Sequence, residues 1–245
     1  MKKFNFISPI TKDVIELDEV YNFNVDELRD ESFEKMIYIG ELIEEKAKDI
    51  LEKYKLDIKT RNFYAYILRE LMRNVPEHSG ADEFKLVCYR NKDEMAFKVC
   101  DKGITIKESL NSNPRFNIVD DKSSVSFALK PGVTKSYKWD YSRDDVWQNS
   151  GFGLYMVSSL MKKIGYFELK SGSGKITVDN KGTNFMSSNK VSGTEVLIVI
   201  DTKIKINIPQ TLKEISQEGS KLAISSTFSS YADKKTASKA STLIE

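Results

Sequence analysis

The sequence predicts an α+β protein, because helical and strand periodicities occur in separate stretches of the chain. Apolar residues recur at three- and four-residue steps over 33–54 and again over about 60–79, which is typical of helices that bury one face. Two segments with alternating apolar residues, Glu83–Arg90 and Glu94–Asp101, flank a plausible hairpin turn at 91–93. The apolar run Val196–Ile200 predicts a central strand that is covered on both faces.

The first predicted helix lies in an N-terminal segment, residues 1–59. One side of this helix is apolar and the other is charged, so the apolar side is expected to be buried and the charged side to be exposed to solvent. The apolar stripe consists of Phe33, Met36, Ile37, Gly40, Ile43, Ala47, Ile50, Leu51 and Tyr54, and the other side carries Glu34, Glu41, Glu45, Lys48 and Glu52. This stripe could cover the sheet or mediate dimerisation.

The second helix and the hairpin open the central part of the chain, residues 60–208. The buried side of the helix carries Phe63, Tyr66, Ile67, Leu71 and Val75, and the helix ends at His78-Ser79-Gly80. Cys88 and Cys100 fall on the two strands, where they are expected to be small buried residues.

The remaining chain contains a long loop, a helix and further strands. Residues 110–149 have no clear period, which is typical of a functional loop or lid. An apolar helix follows from Leu154 to Gly165, and strands are predicted at Tyr166–Ser171, Lys175–Asp179 and Glu195–Asp201, with Ser171–Lys175 as a hairpin turn. Residues 209–245 are polar, with a helix over 210–224 followed by a flexible tail.

Composition excludes several classes of protein. Of 245 residues 40% are hydrophobic and 30% charged, as in soluble globular proteins, and the net charge of +2 argues against a nucleic-acid binder with a wide basic face. No apolar run reaches the length of about 18 residues that crosses a membrane, and the N-terminus lacks the apolar core of a secretory signal. Two cysteines and one histidine argue against a disulfide scaffold or a zinc site. A reduced, cytoplasmic protein is expected.

Four short motifs could carry chemistry. Glu70, Asn74 and Glu77 share one face of the second helix, with His78 beside them, and could coordinate a hard cation or accept a proton. The alternative interpretation is a solvated polar face, to which Arg73 also belongs.

The other three motifs are strand ends and a glycine turn. Asp101 ends a strand two residues before Gly103, which lets a backbone approach a ligand closely. Gly151-Phe152-Gly153-Leu154 opens a helix, where free N–H groups favour an anion or phosphate. Ser192-Gly193-Thr194-Glu195 precedes the last strand. Taken singly, each motif is also compatible with an ordinary turn or helix start.

Together and in this order, the motifs resemble those of the GHKL ATPases, the superfamily of DNA gyrase B, heat-shock chaperones, histidine kinases and MutL. The resemblance covers about residues 60–202, and Glu70–Ser79 looks like the family's N box. It implies the Bergerat fold, which is a two-layer α/β sandwich with a mixed, mostly antiparallel sheet covered by helices on one face. The ligands that it implies are ATP and Mg²⁺.

The resemblance also implies roles for individual residues. Glu70 matches the acidic residue that polarises the attacking water, and Asn74 the magnesium ligand. Asp101 matches the carboxylate that accepts a hydrogen bond from the adenine amino group, with Gly103 beside the base and Thr194 supporting the site. The family's second glycine box corresponds to Gly151, Phe152, Gly153 and Leu154, and its ATP lid to about 110–149.

The chain departs from the family pattern at several places. Thr105 stands where the first glycine box usually has a second Gly, and Pro76 should kink or end the helix after Asn74. The single histidine, His78, argues against autophosphorylation on an upstream His, and no transducer domain is recognised after Ile208. In the lid, Thr134 or Lys135 could reach the terminal phosphate or lie on an exposed turn. The lid aromatics Trp139, Tyr141 and Trp147 could pack the lid or meet a partner.

The resemblance therefore predicts an ATP-binding protein with slow Mg-dependent ATP hydrolysis, in which lid closure acts as a nucleotide-dependent switch. Two alternatives remain open at this point. The protein could bind ATP without hydrolysis and signal through its N-terminal segment or tail, or it could be an anti-sigma-type protein serine kinase. A protein partner is expected, a homodimer is possible, and neither a membrane nor a nucleic acid is indicated.

Overall fold

A five-stranded antiparallel sheet forms the centre of the molecule. The computed structural model describes residues 4–17, 19–136, 150–225 and 236–237. The strands are β1 (Phe4–Ile7), β2 (Val14–Leu17), β3 (Glu19–Asn24), β4 (Glu83–Arg90), β5 (Glu94–Asp101), β6 (Gly165–Asp179) and β7 (Gly182–Asp201). The sheet order is β3-β4-β5-β7-β6, every neighbouring pair in it is antiparallel, and β1 and β2 form a separate hairpin.

Seven α-helices and one π-helical turn accompany the sheet in the described ranges. The helices are α1 (Val25–Lys35), α2 (Ile39–Glu52), α3 (Ile58–Met72), α4 (Ile106–Asn111), α5 (Asp121–Ala128), α6 (Gly153–Ile164) and α7 (Ile208–Ser225), and the π-helical turn is Val75–Ser79. Among these helices, none combines the length and the apolar composition that a membrane crossing requires.

The core lies between one face of the sheet and the helices. Because side chains alternate along a strand, every second residue of β4 to β7 points to the same face. These inward residues join helices α2, α3 and α6 in one apolar cluster, and they are Phe84, Leu86, Cys88, Met95, Phe97, Val99, Phe167, Leu169, Val196, Ile198 and Ile200. The opposite face carries ion pairs such as Lys98 with Glu195, 2.9 Å apart. This arrangement confirms the α+β class and is compatible with a two-layer sandwich. The described sheet is, however, entirely antiparallel and not mixed as expected.

Strands β4 and β5 and helix α6 lie where the sequence predicts them, and β7 is an interior strand as expected. The turn between β4 and β5 closes with the Asn91 N–H donating to the Glu94 carbonyl over 3.0 Å. Cys88 is buried, and this burial raises the pKa of its thiol to about 12. A predicted helix at 210–224 corresponds to α7.

The single helix expected over 33–54 is wrong, because the chain forms two helices that break at Met36. Met36 has a left-handed φ of 53°, and its N–H donates back to the Phe33 carbonyl, which ends α1. The side chains of Phe33 and Met36 are 83% and 92% exposed, so the first two members of the proposed stripe are not buried. The rest of the N-terminal segment is integrated with the sheet, since β3 pairs with β4 and α2 packs on α3.

The expectation of a structureless stretch from residue 110 onward is also wrong in its described part. Helix α4 extends to Asn111, and α5 begins after Asp120, whose carboxylate accepts from the Ser123 N–H over 2.6 Å. Both helices are short and are defined by their caps, so they leave little periodicity in the sequence. The lid aromatics Trp139, Tyr141 and Trp147 lie outside the described residues.

The segment Ser171–Lys175 is not a hairpin turn. It lies inside β6, where the pairing with β7 shifts register, and the hairpin instead turns after Asp179. The shift accommodates α5, because the carboxylate of Asp121 accepts from both the N–H and the hydroxyl of Ser173, at 2.9 and 3.0 Å. A Cβ at Gly172 or Gly174 would come within 2.3 Å of Asp121 atoms, so both glycines permit this contact.

Candidate functional site

A deep cleft of about 980 Å³, open mouth included, lies between the end of α3, the end of β5 and the start of α6. Of the predicted site residues, the cleft is lined by Glu70, Asn74, Asp101, Gly151, Gly153, Leu154 and Thr194. Gly103 and Phe152 do not line it but adjoin residues that do. The motifs that are separated along the sequence therefore meet in one place.

Glu70 occupies the inner end of the cleft and is 2% exposed. Its Oε1 accepts from Arg69 Nη2 at 3.0 Å and from Arg69 Nε at 3.3 Å. Its Oε2 lies on the side of the glycine turn, since a Cβ added at Gly153 would be 2.6 Å from that oxygen. Gly153 therefore provides the space in which the carboxylate sits.

Asn74 lies one turn further along, at the junction between α3 and the π-helical turn. Its Nδ2 donates to the Glu70 carbonyl over 2.6 Å, so its Oδ1 is the atom that can accept or coordinate. Pro76 lies two residues further on, within the π-helical turn. The α-helix itself ends at Met72, earlier than the predicted end at His78-Ser79-Gly80, and the π-helical turn continues to Ser79. Single π-helical turns are frequent at functional sites because they displace side chains from the ordinary helical position.

The residues around Asn74 do not form the solvated polar face considered from the sequence. Arg73 is 5% exposed and pairs with Glu77 at 3.1 Å, and the hydroxyl of Tyr38 donates to Glu77 from the start of α2. Burial lowers the pKa of Arg73, but Glu77 and Glu70 more than offset this effect and raise it overall. His78 also lines the cleft, 3.9 Å from Glu77. These charged side chains are buried because α2 packs against the face of α3 that the alternative sequence interpretation treated as solvent-exposed.

Asp101 ends β5 at the opposite side of the cleft and is 7% exposed. Its Oδ1 accepts from the Gly103 N–H over 2.8 Å, and the Thr194 N–H also donates to the carboxylate. Burial nevertheless dominates and raises the pKa of Asp101 to about 6. Gly103 is required by packing, because a Cβ there would lie 2.2 Å from the Ser79 carbonyl oxygen.

Ser171 does not line the cleft but supports residues that do, and the sequence interpretation missed it. Its hydroxyl contacts the Gly193 carbonyl and Thr194 Oγ1, both at 3.1 Å, and accepts from the Ile106 N–H over 2.8 Å. It thereby joins the start of α4 to Gly193 and Thr194 beneath Asp101. These two residues lie within β7, next to the register shift with β6, and not in a turn ahead of the strand as the sequence predicts. Its position as the last residue of a predicted strand gave no signal of this role.

Thr105, the departure from the glycine box, has a clear structural role at the start of α4. Its hydroxyl accepts from the Glu108 N–H over 3.2 Å, and the Glu108 carboxylate accepts from the Thr105 N–H over 2.7 Å. This reciprocal capping box begins the helix that borders the cleft.

The glycine turn before α6 lines one end of the cleft. Gly151 has a φ of +69°, and a Cβ there would lie 2.7 Å from the Val133 carbonyl oxygen. Phe152 is fully buried beneath the turn. Thr134 and Lys135 line the cleft beside it, and burial lowers the pKa of Lys135. A cationic side chain, a helix N-terminus and a glycine turn thus share one end of the cleft, which suits an anionic ligand.

The residues present suit a magnesium ion that is held together with phosphate oxygens. Magnesium commonly takes one or two protein oxygen ligands, several waters and substrate phosphates, and Asn74 Oδ1 provides such an oxygen. In the described ranges, no group of three or more His, Cys, Asp or Glu side chains could hold a metal by itself.

No protein-family model matches the chain, and a comparison with curated proteins found no match either.

Proposed function

We propose that this chain is an ATP-binding protein of the GHKL type, with the Bergerat fold, that hydrolyses ATP slowly with Mg²⁺. The observation that carries the proposal is the assembly of the four motifs around one cleft. Glu70 and Asn74 come from the end of α3, Asp101 from the end of β5, the glycine turn from the start of α6, and Thr194 from β7. An accidental set of turns and helix starts has no reason to converge in this way.

Asp101 is suited to recognise the adenine base. With a pKa of about 6 it is largely ionised at neutral pH, so it accepts a hydrogen bond from an exocyclic amino group. A carbonyl oxygen at that position, as in guanine, would meet the carboxylate with repulsion. The Gly103 and Thr194 N–H groups fix the carboxylate, and Val99, Leu169 and Val196 give the base an apolar floor.

The other end of the cleft is suited to the phosphates. The glycine turn and the N-terminus of α6 provide N–H groups, Lys135 provides a positive charge, and Asn74 Oδ1 holds the metal. When bound, Mg²⁺ neutralises phosphate charge that develops during transfer. Glu70 Oε2 accepts a hydrogen bond from the attacking water and orients it.

A second candidate function is an ATP-gated switch in which turnover is secondary. The observation that favours it is the contact between the N-terminal segment and the cleft. Tyr38, directly before α2, donates to Glu77, and Glu44 in the second turn of α2 pairs with Arg69. The first part of α2 therefore contacts residues beside the proposed phosphate site. A ligand that shifts Arg73 or Glu77 would change the seating of α2, which could carry the signal to a protein partner or a second copy.

A single-turnover assay with γ-labelled ATP and Mg²⁺ tests the proposal. We expect wild type to bind ATP and release phosphate, Glu70→Ala to bind without release, and Asp101→Ala to lose binding. Glu83→Ala, an exposed carboxylate at the start of β4, is the matched control and should behave as wild type. Binding without release by wild type supports the switch, transfer of label to an added protein supports a kinase, and no binding by folded wild type refutes the proposal.

A further inference from the structure

A buried ion-pair chain connects α2 to the proposed catalytic carboxylate. Arg69, which directly precedes Glu70, is 3% exposed. Its Nε and Nη2 donate to Glu70 Oε1, and its Nη1 donates to the carboxylate of Glu44 on α2. The guanidinium also lies over the ring of Tyr66, 5.1 Å from the ring centroid. Arg69 is therefore held from three directions.

This arrangement gives the two oxygens of Glu70 different environments. Oε1 is occupied by Arg69, whereas Oε2 lies against Gly153 at the glycine turn. A guanidinium is planar and its donors form a rigid fork, so fixing its far end at Glu44 fixes the orientation of the carboxylate at its near end. Without Glu44, Arg69 could rotate towards solvent and Glu70 could turn with it.

We propose that Arg69 and Glu44 are positioning residues that aim Glu70 Oε2 at the reacting water. The inference rests on the proposed ATPase function, and it adds that the N-terminal segment supplies part of the site through Glu44. Neither residue contacts the substrate in this scheme, and both act through Glu70. The cleft is then incomplete without α2, although none of the family-like motifs lies on that helix.

An ordinary stabilising role for the Arg69–Glu44 pair makes a different prediction, and a second ion pair between the same helices serves as the comparison. Arg61 on α3 and Glu52 on α2 join the same two helices, 3.1 Å apart, but are remote from Glu70. The Arg69–Glu44 pair is the more buried, with side chains 3% and 16% exposed against 29% and 65% for Arg61 and Glu52, so loss of Glu44 should cost more stability. If the pair matters for stability alone, the hydrolysis rate of the folded protein should be unchanged in both variants. If Arg69 is aimed by Glu44, loss of Glu44 should affect catalysis selectively.

The test compares Glu44→Ala with Glu52→Ala by single-turnover hydrolysis and by Mg-ATP binding. A displacement of about 1 Å at a catalytic group costs on the order of 100-fold in rate. We expect Glu44→Ala to lower the hydrolysis rate about 10- to 100-fold with an unchanged Kd, and Glu52→Ala to change neither. Glu44→Gln keeps an acceptor oxygen for Arg69 and should recover most of the loss. Glu44→Ala removes one carboxylate partner of the buried Arg69 and should lower stability, so circular dichroism and urea unfolding establish that each variant is folded under the assay conditions.

Two results would overturn the inference while leaving the proposed function intact. One is hydrolysis by Glu44→Ala at the wild-type rate, and the other is an equal loss of rate in Glu44→Ala and Glu52→Ala. Wild type that binds ATP but releases no phosphate would overturn the inference together with the hydrolytic part of the proposed function. The two failures are therefore distinguishable in one experiment.

Discussion

Replacing Asp101 by Asn should make the protein more stable while it abolishes nucleotide binding. The carboxylate is 7% exposed and burial raises its pKa from the ordinary 3.8 to about 6. Below about pH 4 the group is protonated in both the folded and the unfolded chain, so its burial carries no charge penalty. Between about pH 4 and pH 6 the group is ionised in the unfolded chain but still protonated in the folded chain, so stability falls across this range. Above it, the folded chain holds a buried negative charge and the loss is complete.

The size of this effect follows from the same shift. A tenfold change in proton affinity corresponds to about 1.4 kcal/mol, so a pKa of about 6 rather than 3.8 costs the folded state about 3 kcal/mol above pH 7. Asn removes the charge but can lose one of the two backbone hydrogen bonds, from Gly103 or Thr194, which offsets about 1 kcal/mol. We therefore expect Asp101→Asn to be about 2 kcal/mol more stable than wild type at pH 7.5, with little or no advantage at pH 4.

Urea unfolding of both proteins at pH 4 and pH 7.5 measures this difference, and equilibrium binding of Mg-ATP measures the functional cost. Asp201→Asn is a matched control, since Asp201 also ends a strand and accepts from the N–H two residues on, at 2.9 Å, but lies outside the cleft. A stability difference that is the same at both pH values would refute the reasoning. A gain in stability with loss of ATP binding would indicate a group kept for function at the expense of stability.

Three further predictions follow from the same geometry. Gly153→Ala should fold normally but lose on the order of 100-fold in single-turnover rate, because the new Cβ would lie 2.6 Å from Glu70 Oε2 and displace that oxygen. A wild-type rate would contradict this. Gly219→Ala should lower the unfolding free energy by about 1–3 kcal/mol in urea titrations, because its Cβ would lie 2.4 Å from Tyr155 Cε1; unchanged stability would show that the ring yields freely. Chelation of Mg²⁺ should weaken ATP binding to wild type but not further weaken it in Asn74→Ala, as measured by calorimetry, and equal losses in both would remove Asn74 as a metal ligand.

Elements with strong periodicity and clear boundaries could be predicted from the sequence. The turn at 91–93 and the alternation on both sides of it give β4 and β5 their observed limits. Gly165 and the preceding apolar stripe likewise give the end of α6. The break at Met36 could not be predicted, because a non-glycine residue in a left-handed conformation leaves no pattern in an otherwise continuous stripe.

For the site, the sequence predicts which residues meet but not the environment that surrounds them. Asn74, Asp101 and the glycine turn line one cleft, as the motif order implies. The burial of Arg69 and Arg73 depends on α2, the preceding helix, which packs on α3, and helix spacing alone does not indicate which polar face will be covered.

The attachment of α5 to β6 restricts how the chain can close over the cleft. Asp121 fastens the start of α5 to Ser173, and Val125 in the middle of the helix is fully buried in the main core. Moving this helix away from the sheet would break charged hydrogen bonds and expose apolar surface, so α5 is expected to stay fixed within the proposed lid. In the proposed function, a ligand-driven movement that brings Thr134 and Lys135 to the phosphate end would therefore have to occur beyond Leu129, without displacement of α5.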